Sequence, residues 1–379
     1  MGALEFLCHR RFHQTYTLPP NPAKGRTAPH RFSYADYGDA SSNSVVLLCG
    51  ALFGTRLSYT ILDKLAKNNN VRIIHPDRPG VGGSEAVKLE ERIGIWLELI
   101  PKLLAHLNIQ HVSLASHSGG DIYLLNTILS YPSLLHPTHP YICFFAPWVH
   151  HSHTKVTKLQ ALEYLPESLI GNLSPFATFV NAKILPVSAA SGTIFQGVKG
   201  FLSNPSAPST TTPTAITAAA MSRASGEELT LDLDLDDNDV VTELRNHITT
   251  FVFAESTTGV SLDAQLLLKR PHSTVWCAPE LEWGDIDDVP PLLSQIIHDE
   301  EGRSGERGRK WVIDAFHAES DHMVGDKGRV WFDKCWVGEG YEYRSQVVKG
   351  GDHDFLMDPV FGATSVWLER VREAFEAGG

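Results

Sequence analysis

The chain has 379 residues, 42% of them hydrophobic, so it can bury a sizeable core and has room for one compact domain plus a large insertion. Its 44 acidic residues against 32 Lys and Arg give a formal charge of -12, which argues against a nucleic-acid surface, because phosphate binding needs concentrated cations. No stretch approaches the ~20 continuous apolar residues that span a bilayer.

The N-terminal "MGALEFLCHRRF" lacks a sustained apolar run with a small-residue cleavage site and reads as a poor secretory signal. Met1-Gly2 hints at myristoylation, but Phe6 stands where that motif wants Ser or Thr. From Arg31, "RFSYADYG" reads as a short amphipathic strand and "NSVVLLCG" as a continuous apolar run ending at glycine. The second pattern suits a strand buried on both faces, as in a mainly parallel sheet. A helical segment around "LSYTILDKLAKN" follows, then the strand "VRIIHPD", a Gly/Pro turn "RPGVGGS", a helix over Glu90 to Leu107 and the strand "HVSLAS". A helix from Asp121 to Tyr131 leads to the strand "YICFFAP". Strands alternating with helices predict a wound α/β domain.

From Trp148 to about Lys269 that alternation breaks and helical patterns dominate. Within this part, residues 203–220 form a Ser/Thr/Pro/Ala run that reads as a mobile loop. In "GEELTLDLDLDDNDVV" the acids lack EF-hand spacing and read as a solvated helix start. The strand pattern returns in "GRKWVIDAFHAESD", followed by a helix around Gly328 to Trp336, a last strand with its loop, "YEYRSQVVKGGDHDF", and a C-terminal helix. The expected organisation is a core of residues 1–147 and 308–379, with a mostly helical cap inserted at 148–307.

The chemistry concentrates at strand ends. In "SHSGG", Ser118 stands between an apolar strand and a helix, with small residues, Ser116 and Gly120, two before and two after it. A serine at the tip of a strained strand-to-helix turn needs small neighbours there so that strand and helix can approach. The usual pattern is G-x-S-x-G, and Ser116 departs from its first position. A serine hydroxyl is a weak nucleophile unless a base takes its proton and an acid orients that base. His353, after the last β-branched run and two glycines, suits the base, and Asp321, at the end of "VIDAFHAESD", suits the acid. Glu319 is the fallback acid, and Asp352 and Asp354 flank the histidine as competitors. The order Ser, Asp, His, each at the C-terminal end of a predicted strand, is the informative feature, because sites in open α/β sheets lie there.

With "CGALFG", "DRPGVGGS", "SHSGG", "AESDHMV" and "GGDHDF" in that order, the chain resembles the α/β-hydrolase fold family over roughly Arg31 to Gln160 and Arg309 to Glu376. The resemblance implies a mainly parallel central sheet flanked by helices, and a cap that roofs the site. It also implies an oxyanion hole of backbone N–H groups. One is that of Gly119; the other is that of Ala51 or Leu52, since Cys49-Gly50 replaces the usual His-Gly and leaves the register open. Each such donor contributes on the order of 3 kcal/mol. Cys49 itself reads as a small buried hydrophobe. "RPGVGGS" lacks the G-K-[ST] and G-x-G-x-x-G of phosphate cradles and reads as a structural turn. The histidines in "HHSH", 150 to 153, lack metal-ligand spacing.

The implied function is a serine hydrolase that cleaves a small or medium hydrophobic ester, lactone or thioester through an acyl-enzyme, with no cofactor, no metal and a small-molecule acyl substrate as its partner. Serine rather than aspartate at the elbow argues against an epoxide hydrolase or haloalkane dehalogenase. The alternatives are a catalytically silent scaffold that binds a ligand or protein, or the same triad used for C–C hydrolysis, acyl transfer or perhydrolysis. Five scattered cysteines with no C-x-x-C pair indicate neither a disulfide framework nor a zinc site, and a reducing, cytoplasmic setting is expected.

Overall fold

The computed structural model describes residues 2–156, 233–235, 237–304 and 308–377. The low-complexity run at 203–220, and the apolar segments between residues 160 and 190 that suggested a cap, lie outside them. Eight strands form one sheet: β1 (Gln14–Leu18), β2 (His30–Gly38), β3 (Val45–Cys49), β4 (Arg72–Pro76), β5 (Ser113–His117), β6 (Tyr141–Phe145), β7 (Trp311–Ser320) and β8 (Tyr341–Asp352). Their order is β1-β2-β4-β3-β5-β6-β7-β8. The β1/β2 and β2/β4 pairs are antiparallel and all others parallel. The mainly parallel sheet expected from the sequence is therefore present. Strand β1 went unread because "QTYTL" is a short edge strand with an alternating, half-exposed pattern and no apolar run.

The continuous apolar runs are explained by two-sided burial. All five residues of β3, β5 and β6 are buried. Successive side chains point to opposite faces, so Leu47 and Cys49 enter one core cluster while Val46 and Leu48 enter the other. The first cluster is closed by α3 (Arg92–His106), α4 (Asp121–Ser130), α8 (Val289–Ser304) and α9 (Gly325–Cys335). The second is closed by α1 (Ala3–Leu7), α2 (Asp63–Asn68), α6 (Asn238–Ala254) and α10 (Ala363–Glu376). Two further helices are α5 (His151–Thr154), after β6, and α7 (Thr258–Leu267), after α6. Within the stretch read as an insertion, α8 contributes Val289, Leu293 and Ile297 to the first cluster, and α6, packed beside α1, contributes Leu244, Ile248 and Val252 to the second.

The "DRPGVGGS" turn after β4 is fixed by a buried carboxylate. Asp77 accepts from the Arg56 amide at 2.6 Å, the Arg56 guanidinium at 2.7 Å, the Ser33 hydroxyl at 2.5 Å and the Gly83 amide at 3.2 Å. Arg56 also reaches Glu255, just after α6, at 2.5 and 2.7 Å. Removing one member of a buried pair strands the other charge at a cost of about 3–5 kcal/mol. Asp77→Ala is therefore expected to destabilise the fold by about that amount, read as a lower midpoint in chemical denaturation; an unchanged midpoint would contradict this account of the turn.

Candidate active site

Strand β5 ends in the middle of the sheet, and α4 starts three residues after Ser118, at Asp121, through a single helical turn, Ser118–Gly120. Reversing the chain that tightly puts Ser118 at φ +50, in the left-handed region that non-glycine residues avoid. A Cβ on Gly120 would collide with the carbonyl oxygens of Cys49 and Gly50, so α4 can approach β3 only with glycine there. One on Gly119 would lie 2.6 Å from Leu267 Cδ1 of α7.

Ser116, which departs from the usual glycine, is accounted for by a residue the sequence reading passed over. Its hydroxyl lies 2.6 Å from Asp121 Oδ1, while Asp121 Oδ2 accepts the Trp148 N–H at 2.9 Å. Asp121 thus ties the elbow strand, α4 and the chain leaving β6. Burial pushes its carboxyl up to about 8, against the opposing pull of those hydrogen bonds. The signal was an acid three residues beyond Ser118 in an otherwise apolar helix, with no partner suggested by spacing.

The three residues read from separate strand ends come together. Ser118 Oγ is 2.8 Å from His353 Nε2, and His353 Nδ1 is 2.8 Å from Asp321 Oδ2. The second oxygen of Asp321 accepts the N–H groups of Met323 and Val324 at 2.9 and 2.7 Å, which fixes the carboxylate in plane. Burial disfavours the charge on this carboxylate, but His353 and these hydrogen bonds outweigh it and hold the carboxyl down at about 2. Burial likewise opposes the His353 imidazolium, and Asp321 outweighs it, raising the imidazole to about 9. Glu319, the fallback acid, accepts the Gly350 N–H at 2.9 Å, and Asp352 faces His322 at 3.7 Å; Asp354 and Asp352 add to the pull on the His353 charge, but the carboxylate bonded to its ring is that of Asp321.

The loop after β3 is pinned through three successive carbonyls. Arg78 donates to Gly50 O at 2.5 Å and to Leu52 O at 2.7 Å, and the Gly54 N–H donates to Ala51 O at 2.6 Å. Arg78 is itself held by Asp263 of α7 at 2.7 Å, which also receives Arg92 at 2.6 Å and the Tyr123 hydroxyl at 2.5 Å. Of the two N–H groups left open by the sequence, that of Ala51 donates to Tyr59 Oη at 2.9 Å. That of Leu52 meets no acceptor among the described residues. Gly119 lies in the first helical turn, where N–H groups have no partner within the helix. Cys49 is fully buried, and burial pushes its thiol well up, which suits a packing role. All five cysteines are free. His153 contacts Asp285 at 2.9 Å and stacks on Trp331, 3.8 Å between ring centroids. No helix among the described residues is long and apolar enough to cross a membrane.

No protein-family model matches the sequence, and the search of curated proteins gives no match. Solved structures do match. A carboxylesterase structure from the thaumarchaeon Nitrososphaera gargenis is 14% identical, with a TM-score of 0.54 over 96% of this chain and 100% of that one. A bromoperoxidase from Bacillus anthracis is 13% identical, with a TM-score of 0.53 over 96% and 99%. A haloalkane dehalogenase variant from Bradyrhizobium elkanii is 13% identical, with a TM-score of 0.50 over 97% and 100%. At such identities the likeness establishes the fold, and the three names span three different reactions.

A test of this geometry concerns Asp121. Raised to about 8 in the fold, its carboxyl keeps its proton where the unfolded chain, with an ordinary carboxyl near 3.9, has lost it. Folding therefore takes up a proton between these values, and stability falls as pH rises through that window. Asn at this position can still accept from Trp148, and its amide N–H can donate to the Ser116 hydroxyl in place of the bond that hydroxyl gives to Asp121. Asp121→Asn is expected to remove that fall, so that its denaturation midpoint gains on the wild type from pH 5 to pH 8; a constant difference would contradict a protonated Asp121.

Proposed function

Starting from a chain that has the α/β-hydrolase fold, we propose that it is a serine hydrolase that cleaves a small or medium hydrophobic ester, lactone or thioester. The observation that carries this reading is the unbroken pair of 2.8 Å contacts from Ser118 through His353 to Asp321, with Ser118 on a strained left-handed turn. Such a chain has a defined chemistry. His353 Nε2 takes the Ser118 proton as Oγ attacks the acyl carbon, and Asp321 keeps the Nδ1 proton in place and stabilises the imidazolium. The tetrahedral oxyanion faces the N–H groups of Gly119 and Leu52. Collapse breaks the acyl bond, and His353 returns the proton to the departing alkoxide or thiolate. Water, deprotonated by the same imidazole, then attacks the acyl-enzyme and releases the acid.

Leu52 is proposed over Ala51 because its N–H is uncommitted while the peptide that carries it is held through Ala51 O. The expected cap stays part of the proposal. It keeps the bounds 148–307, with α7 the element nearest the elbow through Leu267. The preference for an apolar acyl group rests on the composition of that segment and on Leu267.

Wild-type protein is expected to hydrolyse short p-nitrophenyl esters, and Ser118→Ala to lose this activity by at least about 10⁴-fold; retained turnover in the variant would overturn the nucleophile assignment. The imidazole must be neutral to accept the serine proton, and it is raised to about 9. kcat/KM is therefore expected to climb with pH, reach half its maximum near pH 9 and level off only above it. A plateau already reached below pH 7 would contradict the strength of the Asp321–His353 coupling.

A further inference from the structure

The residue before Ser118 takes no part in the chemistry just described, yet it is fully enclosed and all its polar atoms are used. His117 Nε2 lies 2.8 Å from the backbone oxygen of His353, and its Nδ1 lies 3.0 Å from Tyr59 Oη. Tyr59 Oη is in turn 2.9 Å from the Ala51 N–H. The donor roles in this chain follow without choice. A carbonyl oxygen only accepts, so Nε2 carries the imidazole proton and Nδ1 is bare. The Tyr59 hydroxyl therefore donates to Nδ1, and its oxygen accepts from Ala51. Tyr59 and His117 are 6% and 3% exposed, so neither has water as an alternative partner. Burial, reinforced by the nearby His353 charge, lowers His117 to about 4 and keeps it neutral, as this pattern requires.

This chain of hydrogen bonds joins three loops that meet at the site: the one after β3, the elbow at the end of β5, and the one after β8. It grips His353 by its main chain, while Asp321 grips its ring. We infer that His117 and Tyr59 are positioning residues that lock the loop carrying the general base onto the nucleophile elbow. They also draw the Ala51 N–H away from the oxyanion and so assign that role to Leu52. The inference rests on the hydrolase reading and adds to it two side chains that touch no reacting atom.

The test uses the full chain with p-nitrophenyl acetate and three variants: His117→Leu, His117→Gln and Tyr59→Phe. Displacing a reacting group by about 1 Å can cost on the order of 10²-fold. His117→Leu is expected to lose kcat on that scale with KM little changed, since no substrate contact is removed. His117→Gln keeps an N–H for the His353 carbonyl and an oxygen for Tyr59, and should recover most of kcat. Tyr59→Phe should lose less than His117→Leu, and the double variant Tyr59→Phe/His117→Leu should lose no more than the leucine variant alone, because the two act through one chain. Nitrogen-15 NMR of the wild type gives a readout that does not depend on turnover: His117 neutral, protonated at Nε2 and bare at Nδ1. An active wild type whose leucine variant keeps its kcat, or one in which leucine and glutamine are equally impaired at equal thermal stability, would overturn this inference and leave the hydrolase reading standing. A wild type inert to acyl substrates, with His117 in the stated tautomer, would instead overturn the hydrolase reading and the positioning role with it.

Discussion

The left-handed backbone at Ser118 is the constraint around which the rest of the molecule is arranged. A non-glycine residue held there costs on the order of 1–3 kcal/mol and persists only where the surroundings leave it no alternative. Here the surroundings come from four directions. Gly120 lets α4 slide under the carbonyls of Cys49 and Gly50, and Asp121 fastens the helix start to Ser116 and to the chain leaving β6. Leu267 covers Gly119, and His353 meets the hydroxyl itself. The two-sided burial of β3, β5 and β6 supplies the stiffness that makes these contacts mutually enforcing.

Buried charge plays a different part, joining α7 to the loops at the strand ends. Asp263 of α7 receives Arg78 and Arg92, and Arg78 passes the constraint on to the carbonyls of Gly50 and Leu52. Burial disfavours the charge on Asp263, but the two guanidiniums prevail and hold the carboxyl below its ordinary value. Such a cluster adds little net stability over an apolar packing of the same volume; its contribution is geometric, because guanidinium forks accept few arrangements of their partners. The orientation of the peptides that flank the elbow therefore depends on a residue more than 180 positions along the chain from Arg78.

What the sequence made legible follows from where each signal resides. Periodicity and β-branched runs disclosed the buried strands, because burial on both faces writes a local pattern. Ser118, Asp321 and His353 stood out because each sits at a strand end in a fixed order, and the fold brings their side chains into one hydrogen-bonded row. Strand β1 was missed because an edge strand needs no apolar run. The Asp121, His117 and Tyr59 contacts were out of reach for a physical reason. Their partners are backbone atoms or residues that only the closed sheet brings near, and no spacing rule encodes them. The contact that distinguishes the Ala51 N–H from that of Leu52 likewise comes from a tyrosine hydroxyl eight residues away from Ala51.

The account stands most directly on where an acyl-like electrophile bonds and which way its oxygen then points. A crystal structure of the protein after reaction with an alkyl fluorophosphonate would read both at once. The expected result is phosphorus bonded to Ser118 Oγ, with the phosphonyl oxygen in hydrogen-bond reach of the Gly119 and Leu52 N–H groups and His353 still bonded to Asp321. Phosphorus on any other side chain, or a phosphonyl oxygen facing away from both amides, would contradict it.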